Sequence, residues 1–118
     1  MKNFLTSFLI FFIIFLKASL SSDFAYITNQ LSNSVSVIDL ETYKVVKEIY
    51  VGAKPAGVVV AKNGKRIYVS NPESKEISII DGLKLENIKN ISLGKGPLGI
   101  ALTKDDKLLL VADWYDHT

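Results

Sequence analysis

From residue 24 onward, apolar and polar residues alternate in short runs, and clusters of Gly, Asn, Asp, Ser and Lys break those runs apart. A period of two places successive side chains on opposite faces of a strand, so each run predicts a half-buried β-strand and each cluster a turn. "RIYVSN" (66–71) and "EISIID" (76–81) alternate most clearly, and "NIKNISLG" (87–94) follows them. "PAGVVVA" (55–61) leads into Asn63-Gly64, a strong hairpin signal; "PLGIALT" (97–103) leads into Asp105-Asp106, a weaker one. No stretch after residue 22 keeps a helical period for longer than a turn. The expected class is all-β.

The first 22 residues differ in kind. "MKNFLTSFLIFFIIFLKASLSS" carries Lys2, then an uninterrupted apolar run from Phe8 to Leu16, then small residues around Ser19-Leu20-Ser21. A positive start, a short apolar centre and a small-residue exit predict a secretory signal peptide over residues 1–22, cleaved near 21 to 22. An uncleaved anchor is the alternative, but a spanning helix needs about 20 apolar residues and this run stops short of Lys17. The protein is therefore expected to be periplasmic or secreted, meeting the membrane only through this leader during export.

Sliding the remainder against itself by 42 positions gives a gapless match. Residues 24–65 lie over 66–107 with 13 identities, among them Tyr26/Tyr68, Asn29/Asn71, Asp39/Asp81, Gly52/Gly94, Pro55/Pro97 and Gly57/Gly99. Most other apolar positions exchange one aliphatic residue for another. Four short strands in a repeat of 40 to 45 residues describe a blade of a β-propeller. Residues 23–118 are thus expected to form a partial propeller built of blades of four antiparallel strands, with two full repeats (24–65 and 66–107), the first beginning on a second-strand motif, and a truncated third over 108–118. One blade cannot bury both of its faces, and closed rings hold 4 to 8 blades, about 170 to 340 residues at this repeat length. The sequence therefore reads as part of a longer propeller.

The same residues carry a family resemblance. "AYITNQLSNSVSVIDLETYKVV" followed by "VGAKPAGVVVAKNGKRIYVSN" resembles the YVTN-type β-propeller repeat, in which "YVTN" ends one strand, "VSVID" forms the next and a "VGxxPxG" segment leads into the following blade. It departs from that pattern at Lys62 and Lys104, where Pro is usual, and at Gly82, where an apolar residue is usual. The resemblance implies the fold and leaves the function open, because propellers host many functions. Some propellers resembling this one serve periplasmic dehydrogenases.

The repeated residues read first as structure. Gly57 and Gly99, just inside the first strand of each blade, permit close backbone approach. Pro55 and Pro97 set the start of that strand without needing a ladder hydrogen bond. Asn29, Asn71 and Asp113 end the second strand, where a short polar side chain can bond its own backbone and begin a turn. Asp39 and Asp81 are expected to accept backbone N–H groups in turns, and Tyr26 and Tyr68 to pack between blades. Gly52 and Gly94 count among the structural positions of the repeat.

Composition narrows the function classes. Of the 14 Lys and Arg, Lys2 and Lys17 lie in the leader, which leaves 12 against 12 acidic residues. A neutral domain has no basic stripe to track phosphates, so nucleic acid is not an expected partner. The absence of Cys excludes disulfides, thiolate metal sites and covalent haem attachment in this chain. No HExxH, GxSxG, P-loop or dinucleotide fingerprint is present, and "LGKGPLG" (93–99) aligns with "VGAKPAG" as an interblade connection. No catalytic residue, metal site or cofactor is identifiable. The tail is the exception: the loops "QLSNS" and "PESKE" become "WYDHT", bringing the only Trp and the only His beside a Tyr and an Asp. Trp114, Tyr115, Asp116 and His117 are the binding-loop candidates, for a protein or small-molecule ligand. The expected function is a binding or scaffold propeller, the alternative an accessory of a quinoprotein or cytochrome-linked dehydrogenase system.

Overall fold

The computed structural model describes residues 23–115 and 117. The predicted signal peptide, residues 1–22, lies outside them, as do Asp116 and Thr118. The strands run β1 (Phe24–Asn29), β2 (Ser34–Asp39), β3 (Lys44–Tyr50), β4 (Val58–Val60), β5 (Arg66–Asn71), β6 (Glu76–Asp81), β7 (Glu86–Ser92), β8 (Pro97–Leu102) and β9 (Leu109–Asp113). They pair antiparallel in chain order into three sheets, β1-β2-β3, β4-β5-β6-β7 and β8-β9. The middle sheet is a complete four-stranded blade.

The 42-residue repeat is written into the register. Tyr26 lies opposite Val37 as Tyr68 lies opposite Ile79, and the ladder slips between Val37 and Ile38 as it does between Ile79 and Ile80. Turn conformation repeats too. Asn33, Lys75 and His117 share a left-handed backbone with φ of 54°, 56° and 55°. The predicted Asn63-Gly64 hairpin is present, with Gly64 alone of the two at positive φ (69°): its N–H donates to Ala61 O at 2.8 Å, and Ala61 N–H donates to Arg66 O at 2.9 Å. Asp106, at φ 58°, takes the same place in the third sheet, where its N–H bonds Thr103 O. Asp enters the left-handed region less readily than Gly, which is why Asp105-Asp106 is a weaker hairpin signal than Asn63-Gly64.

The core lies between the first two sheets. Val35, Val37 and Ile49 from the first pack with Ile67, Val69 and Ile80 from the second, all at most 4% exposed, and Phe24, Tyr26, Val51, Val58 and Leu85 close the edges. Burial raises the Tyr26 phenol above its ordinary value. Tyr68 occupies the same register position one blade on and is half-buried. The outermost strands β3 and β7 are mostly exposed, and their Lys and Glu residues blunt the sheet edges.

Hydroxyl groups stitch the sheets together at a repeated position. Thr28 Oγ1 donates to Ala56 O at 3.1 Å, and 42 residues later Ser70 Oγ donates to Leu98 O at 2.6 Å. Ser70 Oγ also accepts the Gly57 N–H at 2.8 Å. A Cβ added to Gly57 would stand 2.8 Å from Leu98 O, so this glycine is required by the neighbouring sheet. Gly99, its repeat partner, would meet nothing nearer than Ala112 Cβ at 3.7 Å. Gly57 makes the expected close approach to the sheet that follows it, and Gly99 lies in the last of the three sheets. Gly57 also precedes β4 instead of lying inside it, whereas Gly99 lies within β8.

Gly52 and Gly94 fill their structural places for different reasons. Gly52 is held by packing: an added Cβ would overlap Glu76 Oε1 and Ser74 Oγ and stand 2.8 Å from Asn71 Cβ. Gly94 is exposed, and a Cβ there would meet nothing within 4 Å among the described residues. Its requirement is conformational, because its φ of 75° lies in the left-handed region that glycine enters without strain. The two connections bend at different places. The left-handed residue is Lys54 (φ 51°) between the first and second sheets, and Gly94 between the second and third. Pro55 and Pro97 do keep a common place, both fully buried where the next sheet begins.

Candidate functional site

Strand order puts the connections on two rims. Turns β2–β3, β4–β5 and β6–β7, with β8–β9, line one; turns β1–β2 and β5–β6, the segments joining successive sheets and the turn after β9 line the other. Hydrogen bonds tie each rim together. On the second, Ala53 N–H donates to Ser74 Oγ (2.8 Å), Lys54 N–H to Asn33 Oδ1 (2.9 Å) and Leu93 N–H to Lys75 O (2.9 Å). On the first, Lys62 N–H reaches Asp106 Oδ2 at 2.9 Å.

The repeated carboxylates sit on the first rim, inside turns. Asp39 Oδ1 accepts the N–H groups of Glu41 (2.7 Å) and Thr42 (3.1 Å); Asp81 Oδ1 accepts those of Leu83 (2.9 Å) and Lys84 (3.0 Å). The Lys84 and Leu83 bonds hold the Asp81 carboxyl below its usual range, with Arg66 nearby adding less. Asp105 is lowered likewise, chiefly by the Thr103 hydroxyl and then by Lys107 N–H. These carboxylates are occupied by turn N–H groups and by the side chains of Thr103 and Arg66.

The strand-ending residues behave in two ways. Asn29 Nδ2 donates across its hairpin to Ser34 Oγ (3.2 Å) and Ser36 Oγ (2.8 Å), and Asn71 Nδ2 does the same to Ser78 Oγ (2.8 Å). The expected bond to the following turn is made at the third repeat, by Asp113. Its two carboxylate oxygens accept Gly96 N–H (2.8 Å) and Tyr115 N–H (2.9 Å). Asparagine can donate to a serine opposite; a carboxylate only accepts, so it gathers the backbone N–H groups within reach.

That clamp builds the candidate site. Trp114 N–H donates to Gly96 O at 3.0 Å, and a Cβ on Gly96 would overlap the Tyr115 ring. The Tyr115 ring therefore rests on the bare backbone of Gly96. Beside it opens a recess of about 490 Å³ lined by Pro72, Glu73, Lys75, Lys95 and Tyr115. A smaller one of about 200 Å³ adjoins it, lined by Pro72, Glu73, Leu98, Trp114 and Tyr115. Together they form a groove on the second rim, between the second and third sheets, of a size that suits small molecules. Trp114 and Tyr115 remain 68% and 61% exposed.

Of the four tail candidates, the structure brings Trp114 and Tyr115 into this groove. His117 takes the left-handed turn position it shares with Asn33 and Lys75, Asp116 lies outside the described residues, and no group of three or more metal-ligating side chains occurs among the described residues. Pro72, Glu73, Lys75, Lys95 and Gly96 were not picked out from sequence, although the 42-residue spacing already placed 72–75 and 114–117 on one rim.

Antiparallel sheets that follow one another at a 42-residue repeat, the middle one complete with four strands and packed face to face on the first, are successive blades of a β-propeller. The chain belongs to the YNCE-like β-propeller family, whose model matches residues 16–108. It is similar to a chain of Kuenenia stuttgartiensis hydrazine synthase, at 36% identity and a TM-score of 0.74 over 76% of this chain. It spans 26% of that chain's length. Two more distant structures share the fold: the dihydro-haem d1 dehydrogenase NirN in complex with DHE (20% identity, TM-score 0.66, 80% of this chain and 23% of that one) and the Cps50 (Swd1) propeller domain of Myceliophteria thermophila (12%, 0.62, 81% and 36%). No curated protein matches the chain in sequence.

Proposed function

We propose that this chain is part of an exported β-propeller that acts as a binding or scaffold module, using the rim that carries the groove between its second and third sheets. The observation that carries this reading is the Asp113 clamp, which fixes an exposed aromatic loop beside an open recess. The alternative for two exposed rings is coverage of a neighbouring blade, which does not by itself call for a recess beside them. Export rests on the leader, residues 1–22.

A second reading is favoured by the 36% identity to hydrazine synthase: the propeller serves as a subunit or accessory of a periplasmic oxidation system. The two readings share the rim and differ in its partner. Photo-crosslinking from position 115, against position 62 on the opposite rim, tests them. Adducts formed only from position 115 support the binding reading, and a haem-staining adduct among them supports the accessory role. Equal labelling from both rims, or none, refutes the use of this rim.

A further inference from the structure

Asn63 is the only asparagine of the chain that is followed by glycine. A backbone nitrogen attacks the side-chain amide of the preceding asparagine most readily when its own residue has no Cβ to block the approach. The other described asparagines are less open to such attack. Pro72 after Asn71 has no N–H, and Ile88 and Ile91 after Asn87 and Asn90 are β-branched. Ser34 after Asn33 is fully buried in β2, and Gln30 after Asn29 carries a long side chain.

The β4–β5 turn also prepares the pair. Asn63 is exposed, and a Cβ on Gly64 would meet nothing within 4 Å among the described residues. Lys65 N–H donates to Asn63 Oδ1 at 2.9 Å, which polarises the amide carbonyl and stabilises an oxyanion formed there. The attacking nitrogen is held back, because Gly64 N–H donates to Ala61 O at 2.8 Å. Reaction waits on release of that bond, so local opening of the turn sets its pace.

We propose that Asn63-Gly64 is a self-modifying site, at which Asn63 deamidates without an enzyme. Gly64 N bonds to Asn63 Cγ, the Cγ–Nδ2 bond breaks, and ammonia leaves with the proton that Gly64 N gives up. Water cleaving the new Cγ–N bond yields aspartate; water cleaving the original main-chain bond yields isoaspartate. The repeat shows that the fold accepts the first product. Asp105 stands 42 residues after Asn63, and its Oδ1 accepts Lys107 N–H at 3.1 Å as Asn63 Oδ1 accepts Lys65 N–H. The second product is accommodated poorly. A Cβ on Gly82 would overlap Gly64 O, and Gly82 N–H donates to Lys65 O at 3.0 Å. A methylene added to the main chain at residue 63 displaces both contacts. Either product adds a negative charge to the recess of about 590 Å³ that Lys62 and Asn63 help to line on the first rim. The charge of that rim therefore changes with the age of the protein.

The full chain is aged in mildly alkaline buffer and sampled by peptide mass mapping, native isoelectric focusing and isoaspartate-specific methyl labelling. Conversion at Asn63 ahead of every other asparagine is expected, with an acidic shift of one charge and methyl label confined to the peptide holding Asn63. Asn63→Gln lengthens the side chain, so attack must close a larger ring, and the shift and label should be lost. Gly64→Asp copies Asp106, which holds the same left-handed turn position in the third sheet, and should slow conversion several-fold while keeping the far-ultraviolet circular dichroism. Earlier conversion at another asparagine, or conversion only after unfolding in urea, overturns the proposal. An unchanged rate in Gly64→Asp overturns it as well.

Discussion

Replacing Ser70 with alanine isolates the contribution of one hydroxyl to the seam between two blades. Ser70 is fully buried, and its Oγ both accepts the Gly57 N–H at 2.8 Å and donates to Leu98 O at 2.6 Å. Ser70→Ala changes side-chain volume little, so the cavity term is small and the cost is that of two polar groups deprived of a partner. A buried group so stranded costs about 1–3 kcal/mol. Gly57 and Leu98 are only half-buried and water reaches them in part, which sets each near the lower figure and the total at about 2 kcal/mol. Urea unfolding followed by circular dichroism is the assay. With a denaturant slope of about 1–2 kcal/mol per molar, the midpoint should fall by about 1–2 M. The companion Thr28→Val removes one bond instead of two and should cost about half as much. A midpoint shift for Ser70→Ala below about 0.5 M at unchanged slope would refute the view that these hydroxyls hold the sheets together.

Two further outcomes follow from the same geometry. Gly57→Ala should destabilise the chain by about 1–3 kcal/mol, since the new methyl meets Leu98 O, Ile100 Cγ1 and Ser70 Oγ at 2.8 to 3.0 Å, whereas Gly99→Ala should lie within about 0.5 kcal/mol of the parent; equal melting temperatures for the pair would count against the packing argument. Asp81 and Asp105 both have folded-state values below the usual one, so their contribution is fully present above the unfolded value of about 3.9 and is lost as pH falls through the folded values. Urea midpoints measured from pH 5 down to pH 2 should therefore drop less steeply in Asp81→Asn/Asp105→Asn than in the parent, and parallel curves would exclude these turns as the source.

Much of the site's raw material was legible in the sequence, while its assembly was not. The tail departed from its two repeat partners, which marked Trp114 and Tyr115 as candidates. Nothing in a linear reading said that Tyr115 would lie on Gly96, or that Lys75 from one blade and Lys95 from an interblade segment would border the same recess. Those contacts depend on how two sheets face each other. Asp113 shows the same limit: the repeat aligned it with Asn29 and Asn71 and so predicted a shared role, but the carboxylate reaches to Gly96 across the sheet instead of to a serine in the next strand. Gly52 and Gly94 show it again, since identical residues at matching positions answer to packing in one case and to backbone conformation in the other.

By itself the sequence determined the strands, their antiparallel order and the repeat that makes each blade, because alternation and turn residues act over a few positions and need no distant partner. It also determined where Asp39 and Asp81 would be held, since an aspartate two or three residues before free N–H groups finds them locally. The tertiary structure decided what depends on neighbouring sheets: that Gly57 is constrained by the sheet that follows it, that Ser70 bridges two blades, and that an aromatic loop borders a recess lined by residues from two sheets. The physical reason is range. Backbone preference is settled within a turn, whereas packing, burial and the joining of charges into a site require surfaces 28 or 44 residues apart in the chain to meet, as they do at Ser70–Leu98 and Lys62–Asp106.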